Sequence, residues 1–274
     1  MIFFRNMGLD ELQQVLDWAA AEGWNPGLDD AVSFHAADPE GFFVACDGED
    51  IVAAISVVNH SEAYAFLGLY LCLPEYRGKG IGYALWQHAL AHAGTRCVGL
   101  DGVQAQQANY ERSGFVRSGE TVRYAGRIAA DTHPAVRLMQ PTEAGAVVAL
   151  EARASGQAKP YLERWVRGDT TRQTFVLDRG GEIAGFATVR ACRAGAKIGP
   201  FWAQTAEDAR ALLQVAAIPF GESVMIDVPT RSDLLGGICD DMGLTPGFRT
   251  ARMYRGTAPD SAERLFAVAT LELG

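Results

Sequence analysis

Hydrophobic and polar residues follow two spacings along this chain, one typical of strands and one typical of helices. The stretch FVACDGEDIVAA, which begins at Phe43, has two apolar segments around a glycine turn and predicts a β-hairpin. The stretch LDELQQVLDWAAAE, which begins at Leu9, has apolar residues three and four positions apart and predicts an amphipathic helix. Strands, hairpins and helices are interleaved in this way along the whole chain. The pattern therefore predicts the α/β class, of the α+β type, and not a helical bundle.

The same order of elements occurs twice, which is the signature of an internal repeat. The hairpin that begins at Phe43 returns as FVLDRGGEIAGF from Phe175, and each half closes with a strand that contains Arg, Tyr and Gly. A polar stretch with a proline, AADTHPAV at 129–136, separates the halves. The length of 274 residues also exceeds the roughly 100 to 200 residues of a usual domain. We predict two domains, 1–128 and 135–274, which we call the first copy and the second copy.

A glycine-rich turn separates a predicted buried strand, FLGLYLCLP, from a predicted helix, IGYALWQHAL. Its glycines stand at alternate positions, Gly78, Gly80 and Gly82, with Arg77 and Lys79 beside them. Main-chain N–H groups at a helix start have no intrahelical partner and lie at the positive end of the helix dipole, so this turn predicts an anion site. The spacing matches neither a Walker loop, in which Ser or Thr follows Gly-Lys, nor the GxGxxG turn of dinucleotide-binding folds.

The RxxGxG string from Arg77 to Gly82 resembles the acyl-CoA loop of the GNAT N-acetyltransferases, and the preceding strand and Pro74 stand in the order of that family. Downstream, NYERSGF at 109–115 is similar to a second hallmark of the family, a Tyr followed four residues later by Gly and Phe. The second half is similar, in weaker form, to the YitH-like domain, a degenerate GNAT-like domain found at the C-terminus of tandem GNAT proteins. The resemblance implies two GNAT-like domains in tandem, each a mixed, mostly antiparallel twisted sheet flanked by helices.

The resemblance also implies which residues bind acetyl-CoA. The main chain of Tyr70, Leu71 and Cys72, at the end of the central strand, would pair with the pantetheine arm. The residues implied for the pyrophosphate are Arg77, Gly78, Lys79, Gly80, Ile81, Gly82 and Tyr83. Val103 stands where the family often has an Asn, and that contact would move to Asn109 or to a glutamine of AQQ. The alternative for the three glycines is a tight turn that needs their flexibility.

Two residues are candidates for proton transfer. Tyr110 matches the family tyrosine that protonates the departing CoA thiolate; the alternative is an aromatic core residue. A phenol with a pKa of ~10 can protonate a thiolate whose thiol has a pKa of ~8.5 when the two are hydrogen-bonded. Asp101, after the strand CVGLD, is a candidate base for the attacking amine, and an Asp before Gly is equally typical of a turn. Glu62 and His60 are further options for the base.

Trp24 and Asn25 lie in GWNPG, the stretch that covers the acceptor site in the GNAT fold, and the resemblance implies that they contact the acceptor. The alternative is that Trp and Pro only fix a loop. His88 and His92 have a spacing that can hold zinc, but the sequence offers no third ligand, and we predict no metal.

The second copy lacks the residues that would bind and protonate CoA. The positions that correspond to Arg77, Gly80, Gly82 and Tyr110 hold Asp208, Ala211, Leu213 and Cys239. We therefore expect the second copy to support the fold, to shape the acceptor pocket or to form a homodimer contact. Its polar stretch IDVPTRSD, at 226–233, is expected to line a cleft between the domains.

Composition and charge restrict the kinds of partner that we expect the chain to bind. The chain has 33 acidic and 24 basic residues and a net charge of −9, which disfavours binding to nucleic acid. The longest aliphatic run, IVAAISVV, is far shorter than the ~20 residues of a membrane helix, and we predict a cytoplasmic protein without a membrane partner. The five cysteines are scattered and never in CxxC spacing, which argues against disulfides and zinc.

These features together predict an enzyme that moves an acetyl group from acetyl-CoA to a primary amine of a small molecule or peptide, by direct attack in a ternary complex. An alternative is a catalytically silent acyl-CoA-binding sensor or assembly module. A different anion at the glycine turn, such as a nucleotide, is a third interpretation.

Overall fold

A computed structural model describes residues 1–261 and 263–274, and in this part of the chain it contains thirteen strands and eight α-helices. The first copy consists of β1 (Ile2–Asn6), α1 (Leu9–Ala21), α2 (Asp30–Ala37), β2 (Phe42–Asp47), β3 (Asp50–Asn59), β4 (Tyr64–Cys72), α3 (Ile81–Leu90), β5 (Cys97–Val103), α4 (Gln107–Arg112) and β6 (Val116–Arg127). The second copy consists of β7 (Val136–Leu138), α5 (Ala144–Ser155), α6 (Leu162–Arg167), β8 (Arg172–Arg179), β9 (Glu182–Ala191), β10 (Ala196–Ala203), α7 (Ala206–Ala216), β11 (Ser223–Pro229), α8 (Asp233–Asp241), β12 (Thr245–Arg255) and β13 (Phe266–Ala267).

The strands form one continuous sheet in the order β1-β2-β3-β4-β5-β12-β6-β11-β10-β9-β8-β7, and β13 pairs with β10. The pairs β4–β5 and β10–β11 are parallel, and the other neighbours are antiparallel. Each copy therefore has one parallel pair at its centre, as expected of strands joined through a helix. The predicted α+β fold, with mostly antiparallel sheets flanked by helices, is confirmed.

The two copies exchange their closing strands. β12 of the second copy pairs with β5 of the first, and β6 of the first copy pairs with β11 of the second. The two exchanged strands also pair with each other, from Thr245 opposite Ala125 to Tyr254 opposite Val116. The predicted domains 1–128 and 135–274 thus share one sheet, and each copy completes the other.

The helices bury apolar faces on both sides of this sheet. Leu12 and Leu16 of α1 and Phe34 of α2 share one core with Leu162 and Trp165 of α6, so this core spans both copies. Helix α3 packs on the sheet in a second core, which includes Met253 of the exchanged β12. Within the residues that the structure describes, we find no helix that is long and apolar enough to cross a membrane.

A buried ion cluster joins the copies at the shared core. Asp30 of α2 is 1% exposed, and its Oδ1 lies 3.1 Å from Arg172 Nη2 and 3.3 Å from Arg190 Nε. The guanidinium of Arg172 lies 3.9 Å from the centre of the Trp165 ring. Burial opposes ionisation of Asp30, but Arg190 and Arg172 outweigh it and lower the pKa of the carboxyl. The cluster thus joins one carboxylate of the first copy to two guanidinium groups of the second copy.

Candidate active site

The central strands of the first copy separate to form a wedge. β4 and β5 pair only from Tyr64–Leu67 and Cys97–Leu100, although both strands continue beyond these residues. At the point of separation β4 carries a bulge, and Leu69 has a φ of 47°, which is uncommon for a residue other than glycine. One edge of β4 is therefore available to pair with an extended ligand.

A groove leads from this wedge to the start of α3. Nine of the predicted cofactor residues line it, namely Tyr70, Leu71, Cys72, Arg77, Gly78, Gly80, Gly82, Tyr83 and Asn109. The groove also has walls that the sequence did not indicate, among them Glu22, Tyr76, Gln106 and Phe248. Gly80 is the N-cap of α3, and since no side chain caps the helix, its first N–H groups are available to an anion.

Two predicted cofactor side chains lie elsewhere. Lys79 Nζ lies 5.1 Å from the centre of the Tyr76 ring, where a cation–π contact holds it outside the groove. The Ile81 side chain packs against the core under α3, as an apolar side chain at a helix start does. Arg77 lies at the groove but is engaged there, since it donates to the Cys72 carbonyl over 2.8 Å and to Glu22 over 2.7 Å.

A small inner pocket, with a cavity volume of about 60 Å³, opens at the end of the wedge. It shares Trp24, Tyr70, Val103, Gln106 and Phe248 with the groove, so the two are continuous. Its other lining residues are Leu67, Gly68, Leu69, Leu100, Asp101, Tyr110, Arg123, Thr250, Leu271 and Glu272. Both copies contribute to this pocket, because Phe248 and Thr250 belong to the exchanged β12 and the last two residues follow β13.

Tyr110 lies in the wall of the inner pocket. Its ring stacks on Trp86, with centroids 5.3 Å apart and an angle of 17° between the planes, and the residue is 7% exposed. Gly102 is required opposite this ring, since a Cβ there would lie 2.7 Å from it. Burial raises the pKa of Tyr110, so the phenol stays protonated at neutral pH. A protonated hydroxyl on a residue of the pocket wall can act as a proton donor.

Asp101 also lines the inner pocket, but its carboxylate is fully engaged. It accepts four hydrogen bonds, from Thr121, from Thr250 and two from Arg252, and its side chain is 0% exposed. The Arg252 guanidinium is buried, which opposes its charge, yet Asp101 raises the pKa of Arg252 above the usual range. These hydrogen bonds use the oxygen lone pairs that would otherwise accept a proton from a substrate. The geometry favours a role for Asp101 in holding β12 against β5.

Models of known families match both copies. The acetyltransferase (GNAT) family matches residues 9–115, and an acetyltransferase (GNAT) domain matches residues 147–267. The chain is 35% identical to the holothin acyltransferase of Pseudoalteromonas sp. (strain SANK 73390), over 97% of this chain and 92% of that protein. This chain belongs to the GNAT acyltransferase family. The predicted tandem of GNAT domains is confirmed.

Solved GNAT structures have the same fold. A putative acetyltransferase from Pyrococcus horikoshii covers 100% of the chain at a TM-score of 0.84 and 18% identity, with 96% of its own length matched. A tandem GNAT protein from the clavulanic acid biosynthesis pathway covers 93% of the chain at a TM-score of 0.65 and 18% identity, with 98% of its own length matched. The tandem arrangement thus occurs in GNAT proteins of distant sequence.

The wedge of the second GNAT copy is filled by the chain itself. β10 and β11 pair in parallel only from Ala196 to Ile198, and β13 then pairs with β10 at Phe201 and Trp202. The N–H of Val268 donates to the Asp227 carbonyl on the other side of the wedge, over 3.1 Å. Side chains also occupy the start of α7, since Thr205 accepts from the Asp208 N–H. β13 therefore lies where the first GNAT copy has an open strand edge.

The 265–274 segment, which includes β13, continues from the second copy into the inner pocket. Three of its carbonyl oxygens are held by buried side chains, Ala269 by Arg190, Leu273 by His60 and Gly274 by Lys159. Gly68 allows the segment to pass, since a Cβ at this glycine would lie 2.1 Å from the main-chain carbonyl oxygen of Glu272. The segment thereby brings Leu271 and Glu272 to the pocket wall, which the sequence did not predict. An acidic residue in the apolar stretch LFAVATLELG is the signal that could have indicated it.

The other residues that the sequence suggested for the acceptor site or for the base make contacts within the protein. Trp24 lines the inner pocket, whereas the Asn25 amide makes two hydrogen bonds to the main chain of Ala194 and joins the two copies. His60 is buried and bonded to Leu273, and burial, aided by Lys159, lowers its pKa to about 3. Glu62 is fully exposed beside Arg96. Neither His60 nor Glu62 lines the pocket, so neither is placed to act as a base there.

Backbone conformation and side-chain packing explain why glycine occupies three positions of the turn before α3. Gly78 and Gly80 have φ values of 74° and 79°, which favour glycine. A Cβ at Gly82 would lie 2.7 Å from the Tyr70 hydroxyl, so this glycine is required by Tyr70. The glycines at these positions are therefore explained in part by the fold itself, and not only by the close approach of a ligand that their spacing suggests.

We expect Gly80→Ala to weaken the binding of acetyl-CoA about tenfold, because a left-handed alanine costs about 1–2 kcal/mol in the turn conformation that leaves the α3 start uncapped. Titration calorimetry measures the change. Gly237→Ala is the matched control, since a Cβ there meets no atom within 4 Å and its φ is not positive. Equal affinity in both variants would show that the turn does not bind the ligand.

Proposed function

We propose that this GNAT protein moves an acetyl group from acetyl-CoA to a primary amine, in the first copy, with both substrates bound together. The contrast between the two wedges carries this proposal. The first copy has a free β4 edge and an uncapped α3. The second copy has β13 in its wedge and the Thr205 cap on α7. Only the first arrangement leaves room for an extended, anionic cofactor among the described residues.

The groove suits the parts of acetyl-CoA in order. N–H groups at the start of α3 would bind the pyrophosphate. The free edge of β4, from Tyr70 to Cys72, would pair with the pantetheine amides, and this brings the thioester to the mouth of the inner pocket. N–H groups on the same edge would polarise the thioester carbonyl in the manner of an oxyanion hole. Tyr110 would then protonate the departing sulfur.

The inner pocket suits a compact acceptor. Trp24, Phe248 and Leu271 supply apolar walls, and Glu272 supplies a carboxylate on one side. An aromatic wall and a carboxylate together favour an amine with an apolar body. The relative named as a holothin acyltransferase makes holothin the first acceptor to test.

Calorimetry with acetyl-CoA and with ATP tests the cofactor, and a free-thiol assay with an amine panel tests the transfer. The panel would contain holothin, polyamines, amino sugars, amino acids and peptides. We expect heat from acetyl-CoA, none from ATP, and thiol release with at least one amine. Binding of ATP alone would contradict the proposal, and binding of acetyl-CoA without transfer would support the sensor or assembly module instead.

The cellular setting and assembly stay predictions. The acidic net charge of −9 continues to disfavour a nucleic-acid partner. We retain the cytoplasm as the expected location, and a homodimer contact as one role open to the second copy.

A further inference from the structure

Glu272 has the surroundings of a carboxylate that is available to a ligand. It is 5% exposed and lies in the wall of the inner pocket. The hydroxyl of Thr270 donates to its Oε2, and among the described residues we find no other hydrogen bond to the carboxylate and no cation within 4.0 Å of it. Oε1 is thus free to accept. Asp101, the other carboxylate of this pocket, accepts four hydrogen bonds.

The cations near Glu272 are engaged with other groups. Arg123 makes a bidentate pair with Asp227, over 2.8 and 2.9 Å. Lys197 donates to the Trp24 carbonyl over 2.8 Å, and Arg190 to the Ala269 carbonyl over 3.0 Å. None of these three cations is paired with the Glu272 carboxylate, which leaves the carboxylate open to a ligand.

The position of Glu272 is fixed from both sides. On one side Arg190 holds the Ala269 carbonyl, and on the other His60 holds that of Leu273. Thr270 and Leu273 are fully buried, so the segment cannot move without opening the core. Proton transfer requires the accepting atom to stay within hydrogen-bond reach of the donor. A carboxylate that is fixed by buried neighbours can keep such a position.

We infer that Glu272, supplied by the second copy, is the base that accepts the proton of the attacking amine in the first copy. This inference rests on the proposed function. The neutral amine attacks the thioester carbonyl carbon, so that a C–N bond forms and the C–S bond breaks. The proton on nitrogen passes to Glu272 Oε1, and the phenolic proton of Tyr110 passes to sulfur. Glu272 then releases its proton to solvent and Tyr110 regains one, which leaves an amide and free CoA.

The inference also assigns a task to the second copy. β13 fills the wedge of that copy and fixes the start of the segment that carries Glu272. The copy that has no open wedge thereby completes the pocket of the copy that has one. Glu272 would contact the reacting nitrogen, which makes it a catalytic residue in the proposed reaction.

The test compares the wild-type chain with Glu272→Gln and Glu272→Asp, using acetyl-CoA and the best amine of the panel. We expect Glu272→Gln to lower kcat by about 10²-fold or more, with unchanged affinity for acetyl-CoA, and Glu272→Asp to keep part of the activity.

Glu263→Gln is the matched control. Its carboxylate belongs to the stretch that leads into β13 and accepts from Trp202 Nε1, outside the inner pocket, and an amide oxygen can also accept there. Thermal midpoints and acetyl-CoA affinity establish that all variants are folded. An unchanged kcat in Glu272→Gln, or a rise in the KM of the amine alone, would overturn the inference. A wild-type chain that transfers to no amine would overturn the proposed function, and the inference with it.

Discussion

Tyr110→Phe is expected to lower kcat by about 10²-fold and to leave the affinity for acetyl-CoA unchanged. The ring stacks on Trp86 and fills the space left by Gly102, and a phenylalanine ring keeps both contacts. Only the hydroxyl is lost, and with it the proton for the departing thiolate. Because burial raises the pKa of Tyr110, the wild-type group carries this proton throughout the neutral range.

Thiol release under saturating acetyl-CoA measures the effect, and calorimetry measures the affinity. Tyr124→Phe, the same change on β6 and outside the pocket and the groove, is the control and should retain wild-type kcat. A variant that keeps full turnover would show that Tyr110 is only a core aromatic residue. If kcat and affinity fell together, the hydroxyl would belong to the binding of the cofactor.

The sequence predicts the elements of this fold well because the signals are local. The hairpins, the amphipathic helices and the turn before α3 each follow from a short stretch of residues. The groove residues are implied by the resemblance of that turn and its neighbouring strand to the acyl-CoA loop of the GNAT family. Lys79 and Ile81 are the exceptions, because the direction of a side chain depends on neighbours such as Tyr76 and the core under α3.

The features that the sequence does not predict all depend on long-range pairing. β6 and β12 have similar patterns, so each could pair with the strand before it in its own copy or with the equivalent strand of the other copy. The choice between these two pairings determines three further features: the Asp101–Arg252 pair, the place of Asn25 and the path of the 265–274 segment. A repeated pattern thus predicts the strands and helices of both copies but does not predict which strands pair with each other.

A large effect on stability is expected at Asp101. Replacement by Asn leaves Arg252 as a buried cation without a counter-charge, and breaking a buried ion pair on one side costs about 3–5 kcal/mol. The loss falls on β12, the exchanged strand, since Arg252 lies opposite Asp101 in the β12–β5 register. We expect the free energy of unfolding of Asp101→Asn, measured by urea denaturation, to decrease by about this amount.

The double variant Asp101→Asn, Arg252→Met separates stability from catalysis. It removes both charges, so most of the lost stability should return. If Asp101 only holds β12 against β5, the folded double variant should transfer acetyl groups at a rate near that of the wild type. A base at Asp101 would instead leave the double variant stable and slower by about 10²-fold or more. Stability that returns together with turnover would therefore place the base elsewhere in the inner pocket, where Glu272 is the other carboxylate among the described residues.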